Sequence, residues 1–558
     1  MKWNLPGPRG APQPRTRTFE VLVLATFVLG IVLRVPTFGR PLLSDDEAIY
    51  ATTADALGRG DLLYRDVVDH KPPLIYHVYR AGFAALGRYN TQGAHALVIL
   101  AVLLTAGFLF AIKRREGGED AKRFALAAAA LFLIFSTTWH DYDALAANCE
   151  LFLLAPQTIA AWLLLRDLRE DAAGPRGARG WATHLAVGAL IGTSAMFKVQ
   201  GLSFLGASIG MLAWWFILGR ASGWWAVAMA LCQVAGSLVP PALYLLWCRT
   251  AGNAAAAIYW FKFNFSYVQA GLTGFAAIAR GLRRTALIGG VALVPYALGV
   301  SAAVAAASAM VRVMRGRLSG ARVPISGDVP PPSVVLGLLW LLTSAVAVTT
   351  GGRFFGHYFH LILAPLCLLA APVFCRLWSK GWSHRAPLVV LCALPALLFF
   401  VLATFGRPVA AALDEGEPNY AEVAGRIADL TAVDDRIFVW GNSPQLYVLA
   451  RRPMGTRFSF CNYMTGESPG TPTETGQLNA DANQLPAAWD MLFDDLERRR
   501  PVLFVDAAAA GWDGYEKYPI ARYPRLRAYV DDRYRPLEVR AGVVLYRRLP
   551  ERPAERTR

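Results

Sequence analysis

Charged residues are scarce in this chain, at 17% of 558 residues against 55% hydrophobic. Soluble proteins carry about 25% charge, so the scarcity excludes the string of soluble domains that length alone would suggest. Cysteine is sparse and badly placed for cross-linking. Cys149, Cys232, Cys367 and Cys392 lie within apolar runs and Cys461 stands alone in a polar tail, which excludes a disulfide framework. That tail has no phosphate-binding glycine loop and no metal-ligand spacing. No internal repeat is visible, which weighs against a transporter, where such repeats are common. The first apolar run lacks a small-residue cleavage site and is too long for a signal peptide, so it reads as an uncleaved span. Acidic residues number 40 against 56 Lys and Arg, a formal charge of +16. The basic excess sits in short loops between apolar runs and has no aromatic-interleaved stripe. It therefore marks membrane topology and not a nucleic-acid partner.

Long apolar runs are what the chain has in quantity. A helix needs about 20 apolar residues to cross the hydrocarbon core. On that scale the sequence predicts an α-helical polytopic membrane protein with about 11 transmembrane helices. Residues 1–18 form a basic, proline-rich tail expected to be disordered. Residues 19–405 carry the spans, with a long loop over 37–93 between the first and second. Arg and Lys recur in every second loop, at Lys113 to Arg115, Arg166 to Arg179, Arg312 to Arg322 and Arg376 to Arg385. The positive-inside rule puts these loops and the N-terminus in the cytoplasm, and so places the protein in the inner (cytoplasmic) membrane. An aromatic run from Tyr259 to Tyr267 suits an interfacial helix. After residue 405 the composition changes. Residues 406–558 alternate helical stretches (Glu417 to Leu430, Ala487 to Arg499) with β-rich runs at 436–440, 502–505 and 543–546. They read as a small extracytoplasmic α/β domain, a structural or acceptor-binding cap and not a second active site.

The loop over 37–93 holds two acidic clusters, Asp45-Asp46-Glu47 and Asp69-His70-Lys71, close to hydrocarbon, where charge is costly and usually functional. Ile49, Ala54 and Leu57 have helical spacing, Gly60-Asp61 marks a turn, and Lys71-Pro72-Pro73 is a rigid step into the next apolar run. By topology the same external side receives the His140 to Asp143 turn, Glu150, Lys198, Gln200 and the turn from Arg353 to Tyr358. A carboxylate can take a proton from an attacking hydroxyl or amine. Lys and Arg can hold a phosphate as it leaves. Such a face suits transfer from an anionic lipid-linked donor. A flippase for an anionic lipid, or a non-catalytic envelope-assembly protein with the tail as partner surface, are the competing readings.

These motifs resemble those of the GT-C glycosyltransferases. Asp46-Glu47 with Tyr50, the Gly60-Asp61 turn and Lys71-Pro72-Pro73 resemble the first external loop of the protein-mannosyltransferase-like branch, which includes bacterial aminoarabinose transferases. Arg353 to Tyr358 is similar to that branch's Arg…His-Tyr turn, and Trp440-Gly441…Arg451-Arg452-Pro453…Phe458 to its tail. The resemblance implies a membrane glycosyltransferase that moves a monosaccharide from a polyprenyl-phosphate donor to a protein, lipid or glycan acceptor, with inversion. It implies Asp46 as catalytic base, with Asp45 as an extra acid beside it that could take that role. It implies Glu47 as partner or as a helix-start carboxylate. It implies Glu150 as a second acid, for which Asp141 and Asp143 compete. Lys71 would contact the donor phosphate, with Arg353, His357 and Tyr358 completing the cradle. His70 stands where the aminoarabinose enzymes have a glutamate near a metal. It would bond the donor or, with Asp46, ligate a divalent ion.

Overall fold

The computed structural model describes residues 16–118, 120–138, 142–170, 178–269, 271–319, 329–413, 419–467 and 480–550. Most of the N-terminal tail and the rival acid Asp141 lie outside them. Among the described residues nine helices are long and apolar enough to cross a membrane, from Arg17–Gly39 to Trp382–Phe405. The other two expected spans are the Ala121–Phe135 and Ala178–Ala195 helices, of 15 and 18 residues. Both pack lengthwise against longer neighbours.

Small residues set how closely these helices approach. Gly188, on Ala178–Ala195, lies so near the backbone of Gln233, on Gly223–Thr250, that a Cβ would sit 2.1 Å from its carbonyl oxygen. One turn on, Gly192 meets the Ser237 carbonyl in the same way at 2.3 Å. With little hydrophobic force between helices in lipid, this backbone contact is what joins them.

The loop between the first and second spans is ordered by two helices of its own, Asp45–Gly58 and Leu74–Leu86. Ser44 caps the first by accepting from the Glu47 amide at 3.3 Å, and Asp45, Asp46 and Glu47 fill its opening turn, where the helix dipole favours negative charge. Pro73 stands just before the second, so the Lys-Pro-Pro step starts that helix.

The tail folds into a four-stranded sheet of order β1-β2-β4-β3, with β1 at Ile437–Trp440, β2 at Leu503–Asp506, β3 at Tyr534–Arg540 and β4 at Val543–Arg548. β1 and β2 are parallel and joined through the Pro486–Arg499 helix; the other pairs are antiparallel. β3 is the strand the sequence did not announce. Its Pro536 and alternating charges suit an edge position, which is where it lies.

This unit docks on the loop. The Val68 amide donates to the Arg457 carbonyl at 2.8 Å, and Arg499 donates to the Asp66 carbonyl at 2.6 Å while pairing with Asp61 at 3.5 Å. The aromatic run expected at the interface forms the Ala254–Gln269 helix. Its Trp260 is buried, packing edge-on against Tyr463 with ring centres 5.1 Å apart, so part of the run is a docking surface for the tail.

Replacing Gly188 with leucine should push the two helices apart and cost about 1–3 kcal/mol. Thermal unfolding in detergent would register this as a lower midpoint; an unchanged midpoint would contradict the close approach.

Candidate active site

The carboxylates at the start of Asp45–Gly58 point in three different directions. Glu47 turns inward and is fully buried. It accepts from the Leu43 amide (2.7 Å), the Ala147 amide (2.6 Å) and the Tyr79 hydroxyl (3.2 Å), and meets His95 Nε2 at 3.0 Å. Those partners come from the loop, from the second span and from the approach to the Cys149–Glu170 helix. Glu47 is thereby spent on holding three segments together.

Asp46 faces the recess. Lys71 Nζ donates to its Oδ1 at 2.9 Å and the Tyr50 hydroxyl to its Oδ2 at 3.1 Å. Burial pushes the Asp46 carboxyl up, but Lys71, His357 and Lys198 outweigh it and hold it at about 2. Lys71 also lies 3.7 Å from Asp69 and over the Tyr50 ring at 5.1 Å. Asp69 is fully buried. It accepts from the His70 amide (2.6 Å) and the Tyr76 hydroxyl (2.7 Å), and burial is outweighed there too by Lys71 and His70, which hold its carboxyl below the usual range.

Asp45 turns toward the tail. Gln445, in the Gln445–Ala450 helix, donates to its Oδ1 at 2.6 Å. Asp45 keeps solvent contact although protein hems it in, which puts it on the wall of the recess. Burial, then the charges of Asp513, Asp46 and Asp143, push its carboxyl up to about 7.

A second cluster completes the recess. Glu150 opens the Cys149–Glu170 helix and receives Lys198 Nζ at 2.5 Å. His357 Nδ1 meets Asp143, which also accepts from Asn148 at 2.7 Å, and His357 Nε2 lies 3.9 Å from Glu150. Lys198 sits 3.9 Å over the Tyr358 ring. The clusters feel each other, since Lys198 and His357 act on Asp46. Asp46, Lys71, Glu150, Asp143, Lys198, His357 and Tyr358 therefore share one recess. Lys198 and Asp143, lesser candidates by sequence, pair there with Glu150 and His357. Arg353 is buried in the adjoining turn. His70 is tied back to Asp69 through Nδ1 at 3.0 Å. Sequence reasoning missed His95 and Gln445. A lone histidine opening an apolar span was the signal for the first, and nothing local marks the second.

Among the described residues no three His, Cys, Asp or Glu side chains converge to ligate a metal. Lys71 and Tyr50 hold the Asp46 oxygens, and Asp69 holds His70 Nδ1. Lys71, Lys198 and His357 set positive charge against Asp46.

No family model matches the chain, and no curated protein matches it in sequence. Solved structures do share its fold over nearly the whole chain. ArnT from Cupriavidus metallidurans, solved with undecaprenyl phosphate, aligns with a TM-score of 0.57 at 16% identity, over 95% of this chain and 98% of its own. The oligosaccharyltransferase of Archaeoglobus fulgidus, solved with zinc and sulfate, aligns at 0.53 and 14% identity, over 94% of this chain and 73% of its own. The same enzyme, AglB, has also been solved with an inhibitory peptide and a dolichol-phosphate, and aligns at 0.53 and 13% identity, over 96% of this chain and 75% of its own.

Two outcomes follow. Glu47→Ala strands His95 and two buried amides, so it should cost about 3–5 kcal/mol and appear as loss of folded protein by size-exclusion chromatography. For Asp45 the folded form binds more protons than the unfolded between pH 4 and about 7. Stability contributed at this site therefore falls as pH rises through that window and is level above it. Asp45→Asn should remove that slope, which wild-type and variant unfolding midpoints measured from pH 4 to 8 would reveal.

Proposed function

We propose that the protein is a membrane glycosyltransferase that moves a monosaccharide from a polyprenyl-phosphate donor to an acceptor outside the cytoplasm. The observation that carries this reading is Lys71 held between two carboxylates, Asp46 at 2.9 Å and Asp69 at 3.7 Å. A lysine so placed is ready to exchange a carboxylate for a phosphate.

The reaction follows from those positions. The acceptor's hydroxyl or amine attacks the anomeric carbon from the face opposite the phosphate. Its proton passes to Asp46, the new glycosidic bond forms, and the bond from the anomeric carbon to the phosphate oxygen breaks. Polyprenyl phosphate leaves with the electron pair, and the anomeric configuration inverts. Lys71 stabilises the leaving phosphate, with His357, Tyr358 and Arg353 around it.

Binding and activation are coupled in this scheme. Asp46 is a weak base while Lys71 pairs with it. When the donor phosphate draws Lys71 away, the carboxylate loses its strongest stabilising charge and its basicity rises. The base is thus sharpened by the arrival of the substrate. Glu150 and Asp143 keep Lys198 and His357 charged and oriented toward the donor. The C-terminal unit, through Gln445 and Asp45, borders the side from which the acceptor approaches.

Asp46→Asn should lower transfer of labelled sugar from polyprenyl phosphate to membrane acceptors by about 10²–10⁴-fold while donor still binds. Full activity in Asp46→Asn with loss in Asp45→Asn would move the base to Asp45. Full activity in both would remove the transferase reading.

A further inference from the structure

Cations and carboxylates are matched in the recess, with Asp45 as the exception among the described residues. Lys71 serves Asp46 and Asp69, Lys198 pairs with Glu150, and His357 with Asp143. Asp45 takes one hydrogen bond, from Gln445 Nε2 to its Oδ1 at 2.6 Å, and no described cation pairs with it. Its surroundings add charge of the same sign, since Asp513 of the tail, Asp46 and Asp143 all act on it. A carboxylate so placed is costly unless a cation reaches it.

Gln445 gives a second and independent sign of a missing partner. The residue is 7% exposed, and its amide oxygen is buried with no hydrogen-bond partner among the described residues. Buried carbonyl oxygens are nearly always satisfied. The amide oxygen shares a carbon with the nitrogen that reaches Asp45, so it lies at the same seam. Asp45 Oδ2 and Gln445 Oε1 therefore stand side by side as unmet acceptors, one from the bundle and one from the tail.

The chemistry of the missing group follows. A primary ammonium has three donors and no acceptor. One donor serves Asp45, one serves Gln445, and the third is left to water. A hydroxyl brings a single donor and no charge, and a phosphate meets Asp45 with the wrong sign. Asp45 and Asp46 are consecutive in the first turn of their helix, so a group held at Asp45 is beside the base. Lys71, assigned to the donor phosphate, lies against Asp46 and Asp69 instead.

We infer that Asp45 and Gln445 form an acceptor subsite for a primary ammonium group close to the attacking hydroxyl or amine, an assignment that rests on the transferase reading.

Ethanolamine is the probe, because it joins an ammonium to a hydroxyl; N-acetylethanolamine keeps the hydroxyl without the charge. At pH 8, where Asp45 is ionised, the full-length protein in dodecyl maltoside should show a saturable rise in unfolding midpoint with ethanolamine. N-acetylethanolamine at equal ionic strength should give none. Asp45→Asn should weaken the apparent affinity about tenfold, and Gln445→Met about threefold. The second variant keeps the test sound if the first misfolds. No shift in the wild type, or an undiminished affinity in both variants, overturns the subsite. This measurement needs no sugar donor, so its failure leaves the transferase reading standing. Absence of transfer by the wild type, with the ethanolamine shift present, removes the transferase reading and leaves the ammonium site. In the transfer assay, membrane acceptors treated with acetic anhydride should take up about tenfold less labelled sugar from the wild type. Asp45→Asn should treat acetylated and untreated acceptors alike. Equal uptake by the wild type overturns the acceptor assignment in favour of an ammonium on the donor sugar.

Discussion

Charge pairing is the constraint on which this architecture rests. A lone carboxylate or ammonium at the edge of hydrocarbon costs several kcal/mol, and the recess avoids that cost by interleaving the two signs. Lys71 lies between Asp46 and Asp69, Lys198 on Glu150, and His357 between Asp143 and Glu150. The cations come from the loop, from the start of one helix and from the turn before another. No single segment can form the set, so the bundle must close before the recess exists.

Glu47 is the fixed point behind it. Its neighbour Asp46 looks into the recess, while Glu47 looks the other way and is saturated by donors from elsewhere in the chain. Because successive helical residues point about 100° apart, anchoring one aims the next. The acidic pair divides into a residue that positions and a residue that is positioned. The Ser44 cap fixes where the helix begins, and so which carboxylate takes which part.

Much of this was legible beforehand, because membrane proteins advertise their plan. Apolar runs give the spans, basic loops give their order, and the charges left over are few enough to stand out. Asp46, Lys71, Glu150 and His357 were visible for that reason, and the structure brings them together. What stayed hidden depends on distance in space. The bond from Gln445 to Asp45 joins residues 400 positions apart, and no local pattern encodes it. His95 could not be told from a residue buried among apolar neighbours until Glu47 was seen beside it. Lys198 was a weaker candidate at the external end of a span, and its meeting with Glu150 is what gives it a place in the site. Strand β3 was obscured by Pro536 and its charges, which an edge tolerates and a central strand would not.

The seam between Asp45 and Gln445 has a consequence for how such a protein changes over time. One wall of the recess belongs to the bundle and the facing wall to the C-terminal sheet unit. Mutations in the sheet unit can reshape the facing wall while the membrane-held groups stay as they are. New partners can be tried on one half of the molecule without dismantling the other.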